Sequence, residues 1–301
     1  MDNELKALLA SANKIILGKE LKIKLAVCCL LAKGHLLIED VPGVGKTTLS
    51  HALAKLLGLN YQRVQFTSDI LPADIIGASV FNAKNSQFTF HPGPIFNQMI
   101  LADEINRSTP KAQSALLEAM EEHQVTVEGV TYALPQPFFV IATQNPSHQI
   151  GTFPLPESQL DRFLMRIELG YPTKQAEREL LEGGNRFSLI NDLSTQLQPE
   201  QLALMQQQVT EVHVSSAVLD YIQDLISFTR QSTDFYCGLS PRAGLALLTA
   251  AKAWAYMDGR SAVLPDDVQL VLPAVAGHRL RTGSIDSNSI VAPLLEQVAV
   301  S

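Results

Sequence analysis

The sequence has few cysteines, and their spacing does not suggest a site. Its 301 residues include three, Cys28, Cys29 and Cys237, and none of them belongs to a Cys-x-x-Cys pair. An odd number of cysteines without that spacing argues against a disulfide framework and against a zinc site. We therefore expect buried thiols in the reducing environment of the cytoplasm.

Long apolar runs are also lacking. The longest covers residues 25–32, whereas a helix that spans a bilayer needs roughly 20 consecutive apolar residues. Residues 1–6 carry charges of both signs and lack a secretory apolar core. We expect no targeting segment, no membrane span and a cytoplasmic location.

An excess of basic residues is absent too. Asp and Glu outnumber Lys and Arg by 30 to 23, which gives a net charge of −7. Such a chain offers no overall electrostatic attraction to nucleic acid, although a local basic face remains open. Hydrophobic residues make up 46% and charged residues 18%, a composition typical of an ordered protein with a sizeable core.

The chain is long enough for two domains, and its pattern changes near residues 171–174. Before that point, short apolar runs alternate with helical patterns, which predicts a parallel sheet covered by helices on both faces. The predicted sheet strands cover residues 35–39, 61–66, 97–102, 138–143 and 166–169. After it, helical patterns dominate, at residues 174–182, 199–210, 216–231, 241–257 and 265–281. We predict an α/β domain over residues 1–172 and a smaller all-α domain over residues 173–301.

A glycine-rich loop follows the first predicted strand and precedes a predicted helix. It reads Asp-Val-Pro-Gly-Val-Gly-Lys-Thr-Thr over residues 40–48. Gly43 and Gly45 let backbone N–H groups turn towards phosphate oxygens, and the helix N-terminus adds partial positive charge. Lys46 is placed to reach the β- and γ-phosphates, and the Thr47 hydroxyl to bind Mg²⁺. The strict pattern has glycine where Asp40 stands, so an ordinary turn that caps a helix is the alternative.

An acidic pair, Asp103 and Glu104, ends the predicted strand at residues 97–102. A strand that ends in a carboxylate presents it at the carboxyl edge of the sheet, beside the phosphate loop. Asp103 would hold Mg²⁺ through water, and Glu104 would activate the attacking water as a general base. Asn145 follows the next strand and could reach the same water; the alternative for it is an Asn-Pro turn. Together these residues predict a protein that binds and hydrolyses ATP.

Five motifs in order resemble those of the MoxR family of AAA+ ATPases, and the resemblance runs through nearly the whole chain. They are Glu-Asp-Val-Pro-Gly-Val-Gly-Lys-Thr at residues 39–47, Leu-Ala-Asp-Glu-Ile-Asn-Arg at 101–107, Ala-Thr-Gln-Asn-Pro at 142–146, Gln-Leu-Asp-Arg-Phe at 159–163 and Ser-Pro-Arg at 240–242. That family also carries aspartate at the position of Asp40. The resemblance implies an AAA+ P-loop domain followed by a helical lid, with ATP or ADP and Mg²⁺ as cofactors.

The resemblance also implies residue roles. Asn145 looks like the sensor that positions the water, Arg162 like the arginine finger that reaches the γ-phosphate of a neighbouring subunit, and Arg242 like the second sensor, in the lid. Arg166 is the other candidate for the finger. A surface ion pair is the alternative for Arg162, and a residue at a helix start is the alternative for Arg242.

The resemblance also assigns the remaining site residues. Ile16 and Gly18 would contact the adenine. Catalytic roles fall to Glu104, Lys46, Asn145, Arg162 and Arg242, and metal binding to Thr47 and Asp103. The nucleotide-binding loop would comprise Asp40, Val41, Pro42, Gly43, Val44, Gly45, Lys46, Thr47 and Thr48.

Two further segments, residues 87–94 and 124–134, look like the hairpin insertions of the family. Such elements can face a pore or a client in ring ATPases. Alternating apolar residues of this kind more often pack on the protein body, and we expect that here. The residues concerned are Phe88, Phe90, Ile95 and Phe96 in and after the first segment, and Val125, Val127, Val130, Tyr132 and Leu134 in the second.

For the whole protein, the resemblance implies a homo-oligomer, with a ring of six as the family expectation. It would act as a chaperone-like ATPase that remodels or matures client proteins or loads cofactors into them. The resemblance also implies a von Willebrand A-type partner. A nucleic-acid motor is one alternative, which the acidic balance disfavours. A non-catalytic nucleotide-binding scaffold is another, which the presence of Lys46, Thr47, Asp103 and Glu104 disfavours.

Overall fold

The computed structural model describes residues 3–83, 86–145, 151–182, 186–280 and 286–300, and the backbone alone for residues 186–188. The strands are β1 (Leu36–Glu39), β2 (Tyr61–Gln65), β3 (Gly77–Asn82), β4 (Gln87–Pro92), β5 (Met99–Asp103), β6 (Gln124–Val127), β7 (Val130–Ala133), β8 (Phe139–Gln144) and β9 (Met165–Ile167). The helices are α1 (Asn3–Ile15), α2 (Glu20–Leu31), α3 (Lys46–Leu56), α4 (Pro72–Ile76), α5 (Pro110–Glu122), α6 (Glu157–Leu160), α7 (Lys174–Glu182), α8 (Arg186–Asn191), α9 (Pro199–Glu211), α10 (Ser216–Gln231), α11 (Pro241–Met257), α12 (Pro265–Ala276) and α13 (Ser287–Gln297).

The five strands predicted to form a sheet do so, and all neighbouring strands are parallel. Their order is β2-β5-β8-β1-β9. Alternate residues of the central strands point to opposite faces. Leu36 and Ile38 join a core with helices α1, α2 and α3, while Leu37 joins a second core with α5. Because both faces are covered there, the central strands β1, β5 and β8 are largely apolar runs. The carboxyl ends of the parallel strands meet at one edge of the sheet.

Local signals place the helices that leave this edge. Helix α3 begins at Lys46, directly after Gly45. Helix α5 begins after Thr109, whose hydroxyl accepts a hydrogen bond from the amide of Ala112. Helices α1 and α2 are separated by a short link that contains Gly18, whose φ is 66°. Helix α6 covers only Glu157–Leu160, and after four intervening residues the chain enters β9.

The chain beyond β9 is helical, as predicted, although α8 and α13 were not expected. This part shares one hydrophobic core with α1, α2 and α3, so packing does not mark a boundary, and the division between residues 172 and 173 stays a prediction. Cys28 and Cys29 lie in this core, where burial raises the pKa of both thiols. The expectation of a buried thiol is wrong for Cys237, which is exposed.

Two β-hairpins extend from the sheet domain. Strands β6 and β7 form the predicted hairpin, with Glu128 and Gly129 in its turn at positive φ. Strands β3 and β4 form the other, although neither β3 nor α4 was predicted from the sequence. The hairpins are joined through Phe90, whose ring stacks on Tyr132 with centroids 4.2 Å apart.

Several of the apolar hairpin residues do pack on the body. Ile95, Val125 and Leu134 are buried. The same expectation is wrong for Val130 and Phe88, which are 52% and 68% exposed. Phe88 instead contacts Phe81 on the facing strand. The structure contains no helix, among the residues it describes, that is long and apolar enough to span a membrane.

Candidate functional site

A cavity of about 310 Å³ lies at the carboxyl edge of the sheet, between the glycine-rich loop and the ends of β5 and β8. The structure therefore brings together most of the residues that the sequence predicted for one site. They are Pro42, Gly43, Gly45, Lys46, Thr47, Thr48, Asp103, Glu104 and Asn145. Val41 and Val44 belong to the same loop but do not line this cavity.

The loop is held open by two left-handed glycines. Gly43 has a φ of 85° and Gly45 of 96°, a region that residues with a side chain rarely adopt. A Cβ atom at either position would meet nothing within 4 Å, so backbone conformation, and not crowding, requires glycine there. The turn leaves room beside the loop amides and the N-terminus of α3, which is the arrangement that binds anions.

Lys46 reaches across this loop. Its Nζ donates to the carbonyl oxygen of Asp40 at 2.6 Å and to Oδ1 of Asn145 at 3.2 Å. Burial lowers the pKa of the Lys46 amine, and the nearby carboxylates of Asp40, Asp103 and Glu104 act in the opposite sense. The lysine is thus fixed between the loop and the end of β8.

Asp40, which departs from the strict pattern, stabilises the loop through hydrogen bonds to two backbone amides. Its Oδ1 accepts a hydrogen bond from the amide of Val41 at 2.8 Å, and its Oδ2 accepts one from the amide of Gly170 at 2.6 Å. The residue is 8% exposed. The carboxylate therefore ties the start of the loop to the segment that leaves β9, and a direct contact of Asp40 with nucleotide stays a prediction.

This role gives a prediction that runs against the sequence pattern. Asp40→Gly recreates the strict motif, yet we expect it to lower the free energy of unfolding by roughly 2–4 kcal/mol, because two amides lose a charged acceptor. Urea unfolding of the variant beside Asp192→Gly, an exposed loop position, measures the effect apart from the cost of glycine itself. Equal stability of the two variants would contradict the supporting role.

Asp103 and Glu104 are oriented by a shared neighbour, Thr143. Its hydroxyl donates to Oδ1 of Asp103 at 2.6 Å and accepts from the amide of Glu104 at 2.9 Å. Glu104 has a φ of 57°, a strained left-handed conformation for a residue with a side chain, of the kind found at functional sites. Arg63 pairs with Oδ2 of Asp103 through Nε and Nη2, at 3.0 and 2.7 Å.

The Glu104 carboxylate is held by three donors. Asn145 Nδ2 lies 3.1 Å from Oε1, and Gln65 Nε2 lies 3.0 Å from Oε2. Arg107 forms an ion pair with Oε2 at 3.2 Å. Since Oδ1 of Asn145 also accepts from Lys46, one amide connects the loop lysine to the acidic pair.

Sequence reasoning missed Arg63 and Gln65. Both lie on β2, which is paired with β5 so that Gln65 is opposite Asp103. The alternation of residues 61–66 is the signal that could have found them, because residues 63 and 65 share one face at the end of an adjacent strand.

Arg162 and Arg242 lie together, away from the loop cavity. Arg162 Nε is 2.9 Å from Oε2 of Glu121, and Arg242 Nη2 donates to Oε1 of the same carboxylate. Neither arginine lines the cavity of the glycine-rich loop. Arg242 therefore does not reach the loop cavity of its own chain in this structure, and its role as the second sensor stays a prediction.

Arg166, the other candidate for the finger, lies inside the protein. It is on β9, and its Nη1 donates to Oε2 of Glu39 at 2.8 Å while Nη2 donates to Oγ of Ser287 at 2.7 Å. Its side chain is 9% exposed, against 28% for Arg162. Of the two arginines, Arg162 is the one that faces solvent.

Ile16 and Gly18 do not line the loop cavity either. Ile16 is buried in the core, and Gly18 lies against Thr173 and Ala176. Lys19 donates to the carbonyl oxygen of Tyr171 at 2.7 Å, one residue after the Gly170 amide that Asp40 binds. The link between α1 and α2 therefore adjoins the segment that supports the loop, and adenine contact by Ile16 and Gly18 stays a prediction.

Comparisons with known proteins agree with this fold. Residues 35–165 match the model of the ATPase family associated with various cellular activities (AAA), and residues 227–294 match the AAA lid domain. The crystal structure of a candidate ATPase from Cytophaga hutchinsonii superposes with a TM-score of 0.90 at 35% identity, covering 99% of this chain and 95% of that one. The parallel sheet, the loop, the acidic pair and the helical lid thus define an AAA+ ATPase.

Sequence relatives identify the branch of that class. Chaperone MoxR1 of Mycobacterium tuberculosis is 39% identical over 278 residues, which are 89% of this chain and 73% of the relative. Protein MoxR of Paracoccus denitrificans is 34% identical, over 90% of this chain and 86% of the relative. Protein YeaC of Bacillus subtilis is 44% identical, over 96% and 92%. The chain belongs to the MoxR family of AAA+ ATPases.

Proposed function

We propose that this protein binds ATP with Mg²⁺ at the glycine-rich loop and hydrolyses it to ADP and phosphate. The observation that carries the proposal is the continuous contact from Lys46 through Asn145 to Glu104 across the loop cavity. That connection joins a cation suited to phosphate with a carboxylate suited to activate water.

The residues present fit this ligand. The left-handed glycines of the loop and the partly buried Lys46 amine suit the phosphates. The Thr47 hydroxyl and the Asp103 carboxylate are oxygen ligands of the kind that Mg²⁺ prefers. When bound, Mg²⁺ neutralises negative charge on the β- and γ-phosphates.

The chain's own residues would share the remaining work. Glu104, held by Asn145, Gln65 and Arg107, takes a proton from the attacking water. Asn145 orients that water, because its amide is fixed by Lys46 on one side and Glu104 on the other. Arg162, on the chain's surface, would complete the site of a neighbouring subunit, where a planar fork of donors stabilises charge on the transferred phosphoryl group.

Lys46→Ala provides a test of nucleotide binding. We expect the affinity for ATP to fall about a hundredfold, because a charged hydrogen bond to phosphate contributes roughly 2–3 kcal/mol. Titration with a fluorescent ATP analogue measures this change. Lys55→Ala serves as the control, because Lys55 lies at the other end of α3 and its amine donates to a main-chain oxygen of Asn191. Wild-type affinity in Lys46→Ala would exclude the loop as the phosphate site.

For the cellular role, we propose a cytoplasmic homo-oligomer, with a ring of six subunits, that uses ATP hydrolysis to remodel or mature client proteins or to load cofactors into them. The name of its relative, chaperone MoxR1, supports a chaperone-like role, and a von Willebrand A-type partner is part of the same proposal. Light scattering with and without ATP measures the mass of the assembly and therefore the number of subunits. Proteins captured by the Glu104→Gln variant in ATP, and not by Lys46→Ala, would be the clients.

A further inference from the structure

A single carboxylate holds Arg162, which the proposed function needs, and Arg242, the expected second sensor. Glu121, near the end of α5, contacts Arg162 through Oε2 and Arg242 through Oε1. The three side chains are 33%, 28% and 47% exposed, in that order, so the cluster lies on the surface. The two arginines are 80 positions apart in the sequence, and Glu121 is their common partner.

The contact leaves Arg162 ready to bind a second anion. Among the described residues, Arg162 forms one ion pair, and it does so through Nε. The two terminal nitrogens are the part of a guanidinium that binds a phosphate or carboxylate in a two-pronged way. A carboxylate on Nε therefore fixes the plane of the guanidinium and leaves that pair of donors for a ligand.

The backbone beneath the arginines is fixed independently of Glu121. Asp161, next to Arg162, accepts hydrogen bonds from Ser240 Oγ at 3.1 Å and from Arg279 Nε at 2.6 Å. Arg279, whose side chain is 5% exposed, also donates to the carbonyl oxygens of Asp161 and Phe163 at 3.1 and 2.7 Å. These bonds join the segment after α6 to the start of α11 and to the segment after α12. Glu121 therefore sets the arginine side chains and not the fold.

Helix α5 also connects this cluster to the chain's own site. Near its start, Gln113 donates to the carbonyl oxygens of Ile105 and Ser108, just after the acidic pair. From Gln113 to Glu121 the helix rises about 12 Å. One rigid helix thus relates the position of Glu104 to that of the arginines.

We propose that Glu121 is a positioning residue for ATP hydrolysis at the neighbouring subunit. Its carboxylate pairs Arg162 with Arg242 and presents them together to the neighbour's γ-phosphate. Without that negative charge the two guanidiniums repel each other and lose their orientation. This inference rests on the proposed function, because it requires ATP hydrolysis completed by an adjacent subunit.

The Glu121→Gln variant tests the positioning role. We expect kcat for ATP hydrolysis to fall about a hundredfold, the size of effect that a misplacement of about 1 Å can cause. The KM for ATP and the thermal unfolding temperature should stay near wild type, since Glu121 lies outside the loop cavity and is partly exposed. The matched control is Glu122→Gln, the same charge change at an exposed neighbouring position, which should keep wild-type kcat. Glu121→Asp keeps the charge on a shorter side chain and should give an intermediate kcat.

Mixed assemblies then separate this role from a merely structural one. Glu104→Gln subunits cannot hydrolyse ATP but retain Glu121, Arg162 and Arg242. In an equimolar mixture with Glu121→Gln subunits, about one quarter of the sites combine an intact Glu104 with a neighbour's intact arginines, so turnover should return to about that fraction of wild type. Neither variant alone should reach it.

Each outcome has one meaning. Wild-type kcat in Glu121→Gln, with Arg162→Ala inactive, would overturn the role of Glu121 and leave the proposed function standing. Loss of activity that mixing does not restore would place the effect of Glu121 within its own subunit and overturn the inference as well. Absence of ATP hydrolysis by the assembled wild-type protein would instead overturn the proposed function.

Discussion

Glu104→Gln subunits will bind ATP with near wild-type affinity and hydrolyse it at least about a hundredfold more slowly, since a positioned general base contributes 10²–10⁴ to the rate. Glutamine has the size of glutamate but cannot take a proton from water. In the structure, the Glu104 carboxylate meets three donors, namely Asn145, Gln65 and Arg107. The variant therefore loses the base, and it also turns one NH₂ group towards these donors.

Phosphate release under saturating ATP measures the loss, and titration with a fluorescent ATP analogue measures the retained affinity. Glu118→Gln is the matched control, because Glu118 is an exposed acid on α5 and the substitution removes the same charge. Wild-type turnover in Glu104→Gln would show that another group activates the water. A large loss of ATP affinity would instead make Glu104 part of the binding site.

The sheet could be predicted because its signal is local. The strands that carry the loop and the acidic pair are apolar runs bounded by turn or polar residues, and β1, β2, β5 and β8 lie within two residues of their predicted bounds. Such runs arise because both faces of a parallel sheet are buried. Strand β3 gave no such signal, because its residues at positions 79–82 are largely solvent-exposed and it forms only a two-stranded hairpin with β4.

Phe88 shows a second limit of the sequence. An aromatic residue in an alternating stretch favours burial, since large apolar side chains are mostly inside. Yet a two-stranded hairpin is not covered by a second layer, and Phe88 contacts Phe81 on the facing strand. Phe90, two residues along, reaches Tyr132 on the other hairpin and is half-buried. The difference depends on where the second hairpin lies, which no local pattern records.

The candidate site likewise has residues that could be predicted from the sequence and contacts that could not. Lys46, Asp103, Glu104 and Asn145 each follow or end a strand, so the topology of a parallel sheet brings them to one edge. The partners of Arg162 and Arg242 could not be predicted like this, because Glu121 is a helix residue with no distinctive neighbours in the sequence. Only the packing of α5 against the segment after α6 and the start of α11 places its carboxylate between them.

Arg162→Ala and Arg166→Ala will fail in different ways, although the two residues are four positions apart. We expect Arg162→Ala to lose about 10³-fold in kcat, the lower range for an arginine that completes a phosphoryl-transfer site in trans. Its stability should change by less than about 1 kcal/mol, because its ion pair with Glu121 is partly exposed. Arg166→Ala should lose about 3–5 kcal/mol of stability, because it leaves the largely buried Glu39 carboxylate without its partner.

Urea unfolding and phosphate release, measured on both variants, give the comparison. Mixing with Glu104→Gln subunits should restore turnover to Arg162→Ala, whose own loop and acidic pair are intact, since the missing group then comes from the neighbour. If Arg162→Ala kept wild-type kcat while folded Arg166→Ala lost it, the finger would be Arg166 and would have to leave Glu39 and Ser287 to act. The accessible position of Arg162 and the internal position of Arg166 favour the first result.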